Sequence, residues 1–333
     1  MIFIDDLSND NTSEIISEFM KHDTRIKVFR NDRNRGSLYS RANGVIKSRG
    51  DYLIAIDPDD MFASHFILEH IHKLAVEKEV DIVQFKEVEG EVGFIRDTWY
   101  KFIVPDTGII RQPELTNLTF YPKGVFRVNN RMIWNKLIKK DVYLDTYKEL
   151  KDYINSHRMC HYDDTLLSYV SSSKAKSLLF TNEIGYYYYT EQNKESLWHI
   201  NNKRIIIYDC LAYCQELFRL GIPNKSYAAN LSFDVFFTHC KTEIKLSGEM
   251  IVKNSTLVDE LTKYKDLIIN SGLVSQENRT RMIEYYDSIT EIDLSAELRD
   301  SYLKNKNQNQ IPTKKSRRIF AETVNNILYK YHM

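Results

Sequence analysis

Across about its first 90 residues the chain alternates between two hydrophobic periods, and this restricts its folds more than any other feature. Ile2-Phe3-Ile4 is a short apolar strand that opens into Asp5-Asp6-Leu7-Ser8. A helix follows, with Asn11 and Thr12 as candidate caps and Ile15, Ile16, Phe19 and Met20 on one face. Arg25 to Phe29 alternates as a strand. Gly36 then leads into a helix whose Leu38, Ala42, Val45 and Ile46 form an apolar stripe. Tyr52 to Ile56 is a strand ending at Asp57. A helix from Ser64 turns Ile67, Ile71, Leu74 and Ala75 inward, and Asp81 to Phe85 closes the series as a strand. Strand–helix alternation of this kind builds an α/β, doubly wound, mostly parallel sheet with helices on both faces.

Beyond Glu87 the pattern is irregular as far as Gly124, as expected of loops or edge strands. Order returns at Met132 to Ile138, at the acidic pair Asp163-Asp164 before a helical run, and in two expected strands, Ser177–Thr181 and Gly185–Tyr189. After Ile200 only helical stripes remain, ending in a helix over Ser316–Tyr331. Three regions are expected: residues 1–90, residues 91–200 and a helical appendage from 201 to 333.

Bulk properties exclude several classes. The 46 basic and 46 acidic residues cancel, so no global field draws in nucleic acid. Cys160, Cys210, Cys214 and Cys240 form no C-x-x-C pair and read as buried free thiols in a reducing compartment. No signal peptide opens the chain and no apolar run approaches about 18 residues, which predicts a cytoplasmic protein. The last helix sets Phe320, Val324, Ile327, Leu328 and Tyr331 behind Lys314, Lys315, Arg317 and Arg318. Such a helix suits docking on its own protein or peripheral contact with a membrane surface.

The acidic run Asp57-Pro58-Asp59-Asp60 sits where the third strand empties into a loop. Clustered carboxylates there call for a positive partner, and ligands of open α/β sheets bind at that edge. Hard oxygen ligands suit Mg²⁺ or Mn²⁺, and through the ion a phosphate-bearing substrate. An ordinary Asp/Pro turn is the competing reading.

The motifs, taken in order, resemble the family 2 glycosyltransferases of the GT-A fold. Asp5-Asp6-x-Ser8-x-Asp10-Asn11-Thr12, Asn34-Arg35-Gly36 with Arg41-Ala42-Asn43, and Gly50-Asp51-Tyr52 before Asp57-Pro58-Asp59-Asp60 carry the resemblance. Trp134-Asn135-Lys136-Leu137 and Asp163-Asp164 match the family's acceptor-side elements, so about residues 1–200 are covered. The resemblance implies a nucleotide-sugar donor, usually a UDP-sugar, and transfer with inversion to a glycan or other hydroxyl acceptor. By position, Asp5 or Asp6 would bind the base, Arg41 would lie against the nucleotide, and Asp57 would sit near the ribose. Asp59 would hold the metal and Asp164 would be the general base. Its place at a helix start favours ionisation, and the neighbouring acid opposes it. His161 and His199 could reach the metal, as an acceptor-side histidine does in some GT-A enzymes, with a structural histidine the favoured reading of each, and Trp134 is either core or a floor for an acceptor sugar.

The chain departs from the family at its start. An earlier strand and helix, ending in a Pro-x-Tyr/Phe-Asn loop that cradles the nucleotide, have no counterpart, a βα unit of roughly 30 residues. A longer true protein, a replacement strand from the appendage or a partner chain, and a degenerate copy are the competing expectations. The alternative function is accordingly a catalytically degenerate GT-A scaffold used for binding. A nucleotidyltransferase is disfavoured because no Gly-rich phosphate loop is present.

Overall fold

The computed structural model of the chain describes residues 1–91, 94–96, 108–116, 131–189, 203–241, 244 and 255–290. Those up to 189 belong to one compact unit and those from 203 to 290 to another.

In the first unit β1 (Ile2–Asp5) and β2 (Lys27–Arg30) pair in parallel, joined by α1 (Thr12–His22). Ile16 and Ile26 are the buried centre of a small core completed by Phe3, Phe19, Met20 and Val28. Against β1 lies α2 (Ser37–Lys47), which buries Leu38, Ala42 and Val45. Ile46, expected on that stripe, is 63% exposed. At 3.6 residues per turn it falls roughly 80° from Leu38 around the helix, whereas Val45 falls within about 20°.

A second sheet of seven strands has the order β3-β8-β5-β9-β4, with β6 on β5 and β7 on β9. Its strands are β3 (Tyr52–Leu53), β4 (Met61–Phe62), β5 (Ile82–Glu91), β6 (Phe94–Arg96), β7 (Ile109–Arg111), β8 (Lys136–Lys139) and β9 (Ser177–Tyr189). Within it only β5 and β9 run parallel; the other ladders are antiparallel. The α/β class therefore holds, but this sheet is mixed rather than mostly parallel. At its centre β8 enters antiparallel between β3 and β5 from a distant part of the chain, and β4, β6 and β7 pair antiparallel at its margins. The expected third strand shortens to Tyr52 and Leu53, the residues that find partners in β8.

Helix α3 (Ile67–Glu77) packs on β5, β8 and β9. It closes a core of Ile67, Ile71, Ala75, Phe85, Trp134 and Tyr186 among others. The two strands expected after residue 177 are one, β9, whose ladder with β5 slips register around Lys86. Gly185 is what lets it cross that core, because a Cβ there would lie 2.4 Å from the Phe85 ring. Gly185→Ala is expected to lose about 1–3 kcal/mol of stability through overpacking. Guanidinium midpoints of the single and double variants with Phe85→Leu check this. Additive losses would rule out the clash as the cause.

Helices α4 (Lys140–Glu149), α5 (Lys151–Ser156) and α6 (Asp163–Lys174) complete the unit, and α2 touches all three. This contact brings α2 and the start of α6 to one place. The second unit contains α7 (Lys203–Leu220), α8 (Lys225–Val235), a π turn over Phe236–Cys240, α9 (Ser255–Asn270) and α10 (Gln276–Thr290). Its cysteines Cys210, Cys214 and Cys240 are buried and form no disulfide, as expected, whereas Cys160 of the first unit is only half-buried. Among the described residues no helix is long and apolar enough to cross a membrane. The expected helix over 316–331 and His199 lie outside the described residues.

Candidate active site

Arg41, near the middle of α2, is 16% exposed at its side chain and reaches three carboxylates. Its Nη2 donates to Asp57 Oδ1 at 2.7 Å, and its Nη1 donates to Asp163 Oδ2. Nη1 also lies 2.7 Å from Asp164 Oδ1, an ion pair without hydrogen-bond alignment. One guanidinium thus ties the loop after β3 to the first turn of α6. Burial opposes its charge, yet Asp164, Asp163 and Asp57 together hold its pKa well above the ordinary value.

The two acids open α6 because Tyr162 takes a left-handed conformation, φ 62°, at the cap position. That backbone is disfavoured for a residue with a Cβ, so the surrounding packing must hold it. Asp163 is 4% exposed. Burial raises its pKa despite Arg41 and a hydrogen bond from Ser37. Asp164 is pushed up to about 8, first by burial, against Arg41, with Asp163 and Asp57 adding to the rise. The helix start, expected to favour the ionised form, is outweighed by desolvation.

The acidic loop is held from β9. Tyr186 Oη accepts from Asp57 N at 3.1 Å and donates to Asp60 Oδ2 at 2.9 Å, while Tyr189 N donates to Asp60 Oδ1 at 3.1 Å. Asp60 is fully buried and shapes the turn. Asp59 is left half-buried on the same turn, its pKa raised to about 6 by burial first and by Asp57 second. Two neighbouring carboxylates, one resisting ionisation, are a fit for a divalent cation. Among the described residues no group of three or more His, Cys, Asp or Glu forms a ready metal cage. A cation at Asp59 would therefore draw its remaining oxygens from phosphates and water, the usual habit of Mg²⁺.

Asp5 and Asp6 end β1 with different duties. Asp5 accepts from Ser8 N at 2.8 Å and Ser13 Oγ at 3.0 Å, with Arg30 Nε 3.4 Å away. Burial works against its charge, but these partners hold its pKa below the ordinary value. Asp6 accepts from Asn31 Nδ2, Arg35 N and Gly36 N, each at 2.8 Å, and so fixes the turn that starts α2. Gly36 sits at φ +85°, and a Cβ there would lie 2.5 Å from Met159 O. The Asn34-Arg35-Gly36 turn thus needs its glycine.

Lys136, read in the sequence only as part of the Trp134–Leu137 run, and Tyr186, read only as strand packing, adjoin the site acids. Lys136 is fully buried; its Nζ donates to Met132 O and, at 3.0 Å, to Asn135 Oδ1. Burial lowers its pKa to about 7, against the pull of Glu87 and Asp164. The signal was available in a lysine enclosed by Trp134 and Leu137. Trp134 itself is core, stacked on Tyr186 at 4.3 Å and Tyr188 at 5.9 Å. His161 is buried in the turn before α6.

Residues 1–139 match the family model described as glycosyl transferase family 2. Glycosyltransferase GlyG of Streptococcus pneumoniae is 23% identical over 196 residues, covering 56% of this chain and 60% of that protein. Cholesterol galactosyltransferase of Borreliella burgdorferi is 28% identical over 195 residues, covering 57% and 51%. The chain thus spans only 51–60% of these relatives' length. Among solved structures, S. aureus TarS 1-349 superposes with a TM-score of 0.54 at 13% identity, covering 94% of this chain and 84% of that one. The same TarS segment has also been solved in complex with UDP, with a TM-score of 0.53. The fold is GT-A-like, and residues 1–139 are similar to the family 2 glycosyltransferases.

Proposed function

We propose that this chain transfers a sugar from a nucleotide-sugar, with UDP as the nucleotide, to a hydroxyl acceptor with inversion. One observation carries the reading: Arg41 gathers the end-of-strand acid Asp57 and the helix-start acids Asp163 and Asp164 into one buried cluster beside Asp59. The family match and the UDP complex of TarS support the donor class.

In this mechanism Asp164 takes the proton of the acceptor hydroxyl as its oxygen forms a bond to the anomeric carbon. The bond from that carbon to the diphosphate oxygen breaks, and the leaving group takes the electron pair. Attack from the face opposite the leaving group inverts the centre. Asp57, steadied by Arg41 and Tyr186, faces the ribose, and one of Asp5 and Asp6 meets the base. Asp59 would hold Mn²⁺ or Mg²⁺, which when bound neutralises charge growing on the diphosphate. Arg41 keeps Asp164 in register with the donor loop.

Asp59→Ala is expected to abolish Mn²⁺-dependent UDP binding, measured by calorimetry, while the thermal midpoint without ligand stays or rises. The rise follows from removing a half-buried carboxylate that burial disfavours. UDP affinity equal to that of the unaltered chain, with Mn²⁺ present, would remove Asp59 from the metal site. A scaffold without catalysis would bind UDP and show neither transfer nor donor hydrolysis.

A further inference from the structure

Packing alone does not call for a cation at Lys136. The residue is fully buried on β8, and a methionine of similar length would fill the place without the cost of desolvating a charge. Its Nζ donates to Met132 O and, at 3.0 Å, to Asn135 Oδ1; Asn135 Nδ2 in turn donates to Glu87 Oε2 of β5 at 3.1 Å. Ser168 Oγ donates to the same Met132 O at 3.0 Å. Ser168 stands one helical turn after Asp164, on the same face of α6. The Lys136 ammonium therefore lies beneath the opening turns of α6, under the acid that Arg41 holds from α2.

Charge balance gives that ammonium a task. Ionised Asp57, Asp163 and Asp164 set three negative charges against the one guanidinium of Arg41. Asp164 is also faced by Tyr143 and Tyr147 of α4, neither of them cationic, and by Lys136 from β8. Glu87 and Asp164 both act on Lys136, and both favour its charged form. Arg41 acts more strongly on Asp164 than Lys136 does, but it is shared among three carboxylates. We propose that Lys136 is a positioning residue for transfer, the second cation of the acid cluster, whose field lets Asp164 give up its proton near neutral pH. This role rests on the reading of Asp164 as the base.

The test uses the full chain with Lys136→Met, which removes the charge, and Lys136→Gln, which removes it but keeps an N–H donor for Met132 O. Hydrolysis of UDP-glucose, UDP-galactose or UDP-N-acetylglucosamine, followed as UDP release, gives the pH profile with water as acceptor. Both variants are expected to be at least about threefold slower than the unaltered chain at pH ~7 and to approach it above pH ~9. They converge there because Lys136, lowered to about 7 by burial, is then neutral in the unaltered chain as well. UDP affinity with Mn²⁺ should not change, and the thermal midpoint at pH ~7 should hold or rise. A lysine held for structure would instead lose midpoint and rate at every pH. A second readout needs no donor. The stability that each chain owes to Asp164, taken in urea as its difference from the Asp164→Asn version, falls as pH rises through the folded pKa. That fall should run to higher pH in the Lys136→Met background. An unshifted fall, a Lys136→Gln profile like that of the unaltered chain, or loss of the folded state in both variants overturns the role of Lys136. Donor hydrolysis that survives Asp164→Asn overturns the reading of Asp164 as the base, while the urea readout still decides whether Lys136 governs its proton.

Discussion

Arg41→Ala is expected to destabilise the first unit by about 3–5 kcal/mol, because it strands a buried cluster of carboxylates without their cation. For a unit of this size that lowers the midpoint by on the order of 10 °C. The sign of its pH dependence separates this cause from lost packing. With Arg41 present, the guanidinium opposes the burial that raises Asp163 and Asp164. Without it their pKa values rise further above the unfolded ones, so the folded state holds more protons than the unfolded state. Stability of the variant therefore falls as pH rises, and its deficit is expected to be smaller near pH ~5 than near pH ~8. Arg41→Lys should fall between, since one ammonium cannot span the sites that the guanidinium fork reaches. Urea titrations at the two pH values check this, and a deficit independent of pH would mean that the loss is one of volume.

What could be read from the sequence follows the range of the interactions. The β1–α1–β2–α2 order rests on periods of two and 3.6, which are local, and it reappears with small changes at Ile46 and β3. The sheet order does not follow from periods, because β8 is placed by partners on β3 and β5 that lie far away in sequence. The acids were legible one by one, from an acidic loop after a strand and an acidic pair before a helix. Their union was not: Arg41 and Asp163 are separated by 122 positions. Burial set the protonation of Asp164, and a helix-start argument cannot supply burial. Tyr186 illustrates the same limit. Alternation puts it on the Trp134 face, but its hydroxyl's grip on Asp57 and Asp60 depends on how β4 pairs with β9.

Asp164→Asn is the substitution expected to cost most activity, a fall of about 10²–10⁴ in kcat with UDP affinity little changed. The amide keeps the volume and loses the basic oxygen, so donor binding through Asp57 and Asp59 should persist. In the unaltered chain burial pushes the acid up to about 8, so on the order of one site in ten is ionised at pH ~7. The rate should then climb about tenfold with rising pH and level off above pH ~9, the profile belonging to the Asp163–Asp164 pair. Stability should move in the opposite direction. A carboxyl whose folded pKa lies above its unfolded one contributes stability at low pH, and loses it as pH rises from ~4 through about 8. Asp164→Asn removes that contribution, so its midpoint should vary less with pH over this window. The two readouts answer different questions. A flattened stability profile with transfer intact would leave Asp164 as a buried acid held by Arg41 and place the base elsewhere. Loss of both transfer and the pH-dependent stability assigns the proton to this carboxylate.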